Sequence, residues 1–174
     1  MQVFDVEEIS THGGSLRIYV QKEGVGQQKL NDRVQGVLDK ETKFGLRNRV
    51  TVEEFRSSVQ KVKSDFLKFL LDKQEKGLQV VGYGAPAKGN TFLNYCGVKA
   101  DLLSFTVDLN PEKQGKYLPG SRIPVFSPEK IQEEKPDYIV ILPWNLTSEI
   151  SKQLSFVRDW GGKFVTAIPS FQEF

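Results

Sequence analysis

The sequence predicts an α/β fold: a doubly wound, mostly parallel sheet preceded by a long helix and a β-hairpin. Three observations carry this. From residue 78 onward, short apolar runs alternate with helix-like segments, the pattern of a parallel sheet covered on both faces. The run at 137–142, Asp-Tyr-Ile-Val-Ile-Leu, is nearly continuous in apolar residues, as a strand buried on both sides requires. Gly82-Tyr83-Gly84-Ala85-Pro86-Ala87 then stands between a predicted strand and a predicted helix.

The elements follow in order. Val3, Val6 and Ile9 form an imperfect strand, and Leu16, Ile18 and Val20 alternate cleanly with Ser15, Arg17 and Tyr19. Thr11-His12-Gly13-Gly14 between them supplies turn residues, so 2–21 reads as a β-hairpin. A lone hairpin is marginal in water and calls for a sheet to join. Residues 22–50 are polar and read as a linker, with at most one short helix around 28–38. Thr51 and Glu54 fit a capping box, opening a long amphipathic helix in which Val52, Phe55, Val59, Val62, Phe66 and Phe69 share a face. Gly77 is placed to end it.

Strands are then expected at 78–81, 102–107, 137–142 and 163–168. Helices are expected at 86–96, at 127–134 with Ser127 as N-cap and Pro128 first, and at 146–160, stopped by Gly161-Gly162.

Composition removes several classes of function. At 174 residues the chain suits one domain plus a small appendage. Cys96 is the only cysteine and His12 the only histidine, so no internal disulfide, thiolate zinc cluster or intrachain site with two imidazoles can form. No metal is expected. With 24 Lys+Arg against 22 Asp+Glu, no duplex nucleic acid partner is indicated. No apolar run approaches a membrane span, and Met-Gln-Val-Phe-Asp-Val-Glu-Glu lacks the features of a secretory signal. A cytoplasmic protein without a membrane partner is the expectation.

Gly82, Gly84 and Ala87 match G-x-G-x-x-G/A, the Rossmann-like turn. There the first glycine permits the turn, the second admits a phosphate, and the third position keeps the helix close to the sheet. The following helix start offers free N–H groups and a positive dipole end to an anion. Lys88 in the first turn opposes that dipole, and Gly89 weakens a helix. A bound phosphate would account for both, with Asn90 and Thr91 next along the helix; a turn whose glycines serve packing alone is the other reading. Asp108 ends the second strand about 20 residues on, where an acid takes ribose hydroxyls. In the next loop Lys113 and Lys116 could hold phosphate and Tyr117 could stack on a base, or the loop is simply solvated. Asn145 is either a ligand contact or a helix N-cap, and Trp144 either a ligand contact or core. Alone, His12 reads as an exposed turn residue and Cys96 as an inert core residue.

Four motifs, Thr11-His12-Gly13-Gly14-Ser15-Leu16-Arg17, Gly82 through Thr91, Lys113-Gln114-Gly115-Lys116-Tyr117-Leu118-Pro119-Gly120 and Pro143-Trp144-Asn145, resemble the C-terminal region of sugar C-methyltransferases. These enzymes use S-adenosylmethionine on nucleotide-linked deoxysugars. The resemblance implies a zinc-binding domain and a methyltransferase domain in cis, which this chain lacks, and places His12 near the catalytic centre of the intact enzyme. It makes 1–21 the terminal hairpin of a methyltransferase domain, 22–50 a linker and 51–174 a Rossmann-like C-terminal domain. The expected function is binding the nucleotide-diphosphate part of a nucleotide-sugar substrate. The chain alone is expected to be inactive and to bind no cofactor, S-adenosylmethionine belonging to the full-length enzyme. The expected substrate-binding residues are Gly82, Gly84, Lys88, Asn90, Thr91, Asp108, Lys113, Lys116, Tyr117, Trp144 and Asn145. Two alternatives stand beside this: an NAD(P)-binding oxidoreductase-type domain, and a structural or oligomerising module.

Overall fold

The computed structural model describes residues 1–174. The chain forms two units, Met1–Ser58 and Val59–Phe174.

In the first unit β1 (Gln2–Ile9) pairs antiparallel with β2 (Ser15–Gln21). A register shift between Val3 and Asp5 sets Val3 opposite Val20 and Val6 opposite Ile18. That bulge puts residues three apart on one face, which is why the apolar spacing of β1 is imperfect. Residues 22–50 hold more than a short helix: α1 runs over Asp32–Phe44. It starts where the Asn31 side chain accepts from the Arg33 N–H at 3.0 Å and ends at Gly45 with φ +78°. Arg33 pairs with Asp5 and Lys40 with Glu8 between it and the ribbon.

Helix α2 (Arg49–Glu75) begins two residues before the expected cap. Asn48 accepts from the Val50 N–H at 3.0 Å, leaving Thr51 inside the helix. It ends as expected at Gly77: Gly77 N–H donates to Gln74 and Leu78 N–H to Lys73, the paired bonds of a Schellman end.

The second unit carries a six-stranded sheet: β3 (Val80–Tyr83), β4 (Thr106–Val107), β5 (Val125–Phe126), β6 (Tyr138–Ile141), β7 (Lys163–Thr166) and β8 (Gln172–Glu173). The spatial order is β5-β4-β3-β6-β7-β8, parallel except for β8. Alternate strand residues enter two cores. Val80, Tyr138, Val140 and Val165 pack with Phe66, Phe69 and Leu70 of α2 and Phe92 and Leu93 of α3 (Ala87–Cys96). Val81, Tyr83, Ile139, Ile141 and Phe164 pack with Ile131 of α4 (Glu129–Glu134) and Ile150 of α5 (Thr147–Gln153). This is an α/β unit with a mostly parallel sheet. The helix expected at 146–160 breaks at Leu154 into α5 and a 3-10 stretch over Ser155–Trp160. β5 and β8 have only two residues each, too few to show alternation. No helix is long and apolar enough to cross a membrane.

Candidate functional site

Strand β3 runs two residues further than expected, and this reassigns the glycines. Gly82 lies within the strand, paired with Thr106 and Val140. A Cβ there would sit 2.7 Å from Thr106 Oγ1, so this glycine admits a neighbouring side chain and does not make the turn. The turn falls at Gly84, with φ +85°. A Cβ on Gly84 would lie 2.7 Å from Cδ and Cγ of Pro143, so the proline ring already covers its bare face. The Thr106 hydroxyl donates to the Gly84 carbonyl at 2.8 Å.

Pro86 is extended and caps α3, and Ala87 is the first helical residue. Ala87 is exposed; the close approach of helix to sheet is made by Gly89, where a Cβ would lie 2.9 Å from Leu142 Cβ. Gly89 therefore has a packing reason and needs no phosphate to explain it. No side chain caps the start of α3, so the N–H groups of its first turn remain open to an anion.

Lys88, Trp144 and Asn145 come together. The half-buried Lys88 side chain reaches from α3 to the loop after β6. There its ammonium donates to Asn145 Oδ1 and lies 4.6 Å from the centroid of the Trp144 ring. Asn145 is thus not a helix cap; it sits within the 3-10 turn Trp144–Leu146. Trp144 is half-buried against the first core and also carries the cation, so both readings of it hold in part.

Asp108 and Lys113 form a second cluster. Asp108 is 9% exposed. Its carboxylate accepts from Ala85 N–H at 2.7 Å, Asn110 N–H at 2.9 Å and the Lys113 ammonium at 3.1 Å. Burial alone would push its carboxyl up. The two backbone donors and Lys113 outweigh that and hold it below the usual carboxylate range.

The other expected residues are placed apart from these clusters. Thr91 donates its hydroxyl to the Ala87 carbonyl at 3.0 Å. Asn90 accepts from Asn94, which also donates to the Pro119 carbonyl at 2.9 Å and so fastens the loop to α3. Lys116 is exposed and makes no ion pair, and Tyr117 is 67% exposed beside a bridge to Pro124. His12 belongs to the first unit, exposed in a 3-10 turn with φ 56°, while the remaining candidates belong to the second. Burial pushes the Cys96 thiol up to about 11, the state of an inert core cysteine.

Thr106 and Asn94 are not singled out by the sequence, and Pro143 and Ala85 stand in its motifs without a role of their own, because these roles depend on which strands become neighbours. The Tyr83 hydroxyl, inside the glycine motif, is buried without a hydrogen-bond partner. No group of three His, Cys, Asp or Glu residues is placed to hold a metal ion.

Residues 10–169 match the family model described as the C-methyltransferase C-terminal domain. The chain is also 33% identical over 169 residues to the C-methyltransferase NovU of Streptomyces niveus, a match covering 97% of this chain and 40% of the relative. The chain thus spans about two fifths of the length of the curated relative it matches. With a family model spanning nearly all of it and this relative beside it, the chain belongs to the C-methyltransferase C-terminal domain family.

Proposed function

We propose that this chain binds the nucleotide-diphosphate part of a nucleotide-linked sugar and presents the sugar for C-methylation, without carrying the methyl-donor site. Counted within its unit, the strand order is 3-2-1-4-5-6, that of a Rossmann-like doubly wound sheet. Such sheets bind ligands at the carboxyl edge where the order reverses, here between β3 and β6. One observation carries the reading: across that reversal Lys88, from the segment after β3, meets Trp144 and Asn145, from the loop after β6, beside the uncapped start of α3. A diphosphate there would gain a cation and helix N–H groups. Lys116 and the exposed Tyr117 would serve the rest of the nucleotide, with Asn90, Thr91 and Lys113 as further contacts.

The NAD(P) reading has less support. A dinucleotide site uses a free acid at the end of the second strand, and Asp108 is already bonded to three donors of its own chain. For the same reason, and because Pro143 covers Gly84, these residues do not fit S-adenosylmethionine. In the complete cytoplasmic enzyme the methyl donor and a zinc-binding region would lie in domains joined in cis. The β1–β2 hairpin would complete the methyltransferase sheet, consistent with the exposure of Leu16, Ile18 and Val20. His12 would serve there as a base for the proton next to the sugar carbonyl.

Thermal-shift titration with thymidine diphosphate (TDP), a TDP-sugar, NAD and S-adenosylmethionine tests this. A ligand at 100 times its Kd stabilises by about 2.7 kcal/mol, several degrees in Tm for a chain of this size. The TDP compounds should shift Tm, and NAD and S-adenosylmethionine should not. Stabilisation by NAD alone would overturn the proposal, and no response to any of the four would favour a structural module. Methyl transfer by these 174 residues alone would refute the placement of the donor site elsewhere.

A further inference from the structure

Asp108 stands where a sheet of this order offers a nucleotide a free acid, yet its bonds run inward. Oδ2 accepts from the Ala85 N–H in the glycine turn and from the Lys113 ammonium in the loop after β4, and Oδ1 accepts from the Asn110 N–H. The Asp108 backbone carbonyl accepts from Gln114 Nε2 at 2.9 Å. One buried residue thereby joins two segments that leave adjacent strands. We infer that Asp108 is a positioning residue: it ties the turn at Gly84 and Ala85 to the 109–117 loop, so that both order as one wall of the ligand site, and it does not itself contact the ligand. The consequence for ligand affinity rests on the nucleotide-binding reading above; the tie between the two segments does not.

Asp108→Asn keeps the shape but removes one acceptor. A carboxylate accepts on both oxygens, whereas an amide accepts on one and donates on the other. Whichever way the substituted amide turns, its NH2 faces a donor. Lys113→Met removes the second member of the tie and keeps most of the aliphatic stem.

Backbone hydrogen exchange on the full chain tests the tie without a ligand. In Asp108→Asn, exchange at Ala85 and at Lys113, Gln114 and Gly115 should accelerate together, by ~10-fold or more beyond the common factor by which the loss of global stability speeds the core amides of β6 and β7. Lys113→Met should accelerate Ala85 as well. Acceleration confined to Ala85 in the first variant, or an unmoved Ala85 in the second, overturns the inference.

Calorimetric titration with TDP adds a test of sign. Asp108→Asn also frees the Lys113 ammonium, so a Lys113 acting only as a direct phosphate contact would bind TDP more tightly. A positioning role predicts weaker binding, by ~10-fold, and unchanged or tighter binding overturns it. If the wild-type chain itself binds no TDP, the nucleotide reading fails, and coupled exchange alone decides whether Asp108 ties the two segments.

Discussion

Lys88 lies with its ammonium 4.6 Å from the centroid of the Trp144 ring, held there by Asn145 Oδ1. A cation in the first turn of a helix opposes the helix dipole. Here that cost is offset by an aromatic face worth about 0.5–1 kcal/mol and by an amide acceptor. The position gives up some local helix stability to keep a positive charge at the mouth of α3.

Lys88→Met removes the charge and keeps a flexible apolar stem. A hydrogen bond from a charged donor contributes about 1.5–3 kcal/mol, so TDP affinity should fall by roughly 10- to 100-fold with little change in unfolding midpoint. Asn145→Ala leaves the cation but frees it to move, and should weaken TDP by a smaller factor. Isothermal titration of both variants checks the ranking; a larger loss from Asn145→Ala would reverse the assigned roles.

Gly84→Ala meets two obstacles at once. An L-residue at φ +85° costs about 1–2 kcal/mol, and the new methyl would press on the Pro143 ring, where a Cβ lies 2.7 Å from two carbons. Together these predict about 2–4 kcal/mol of destabilisation, read by urea unfolding. Pro143→Ala in the same chain should return only the steric part, since the strained backbone remains.

Gly89 and Gly36 are both helical glycines, and replacing each by alanine should have opposite signs. Gly36 in α1 has nothing within 4 Å of a Cβ position, so Gly36→Ala should stabilise by about 0.5–1 kcal/mol through helix propensity. Gly89→Ala gains the same propensity but drives a methyl against Leu142 Cβ, 2.9 Å away, where overpacking costs about 1–3 kcal/mol. Its net effect should be a loss. Paired unfolding curves decide it, and a stabilised Gly89→Ala would mean that α3 moves freely off β6.

What is legible in the sequence follows the range of each interaction. The wholly buried run Tyr138–Ile141 and the alternation of Leu16, Ile18 and Val20 are local patterns and can be read directly. Helix α1 outruns its apolar signal because none of its residues is buried; its bounds lie in the caps at Asn31 and Gly45 and not in apolar periodicity. In the site, residue types are legible but partners are not. Lys88 finds Asn145 only because β3 and β6 become neighbours. Asp108 turns inward because Ala85 and Lys113 converge on it. The glycine spacing is visible, yet the tasks of its members depend on Thr106, Pro143 and Leu142 packing against them.

Asp108 also predicts a pH dependence of stability. Burial raises its carboxyl, but the Asn110 and Ala85 N–H bonds and the Lys113 ammonium bring it below the ordinary value of about 4. A group depressed in the folded state stabilises fully above its unfolded pKa and loses that contribution as pH falls through the folded value. Tyr83, which faces the same region, has its phenol pushed up by burial and by the Asp108 and Glu149 charges, so it stays neutral across the acid range. Wild type should therefore exceed Asp108→Asn in stability by about 1.5–3 kcal/mol at pH 7, and the gap should narrow below about pH 4. Asp5, Asp72, Glu129 and Glu134 are also depressed, but they titrate in both proteins and cancel in the difference. Urea unfolding of the pair at pH 7, 5 and 3 measures it. A gap that stays constant with pH would assign the loss to the NH2 donor that the amide brings against the neighbouring donors, and the charge shared with Lys113 would then hold nothing in place.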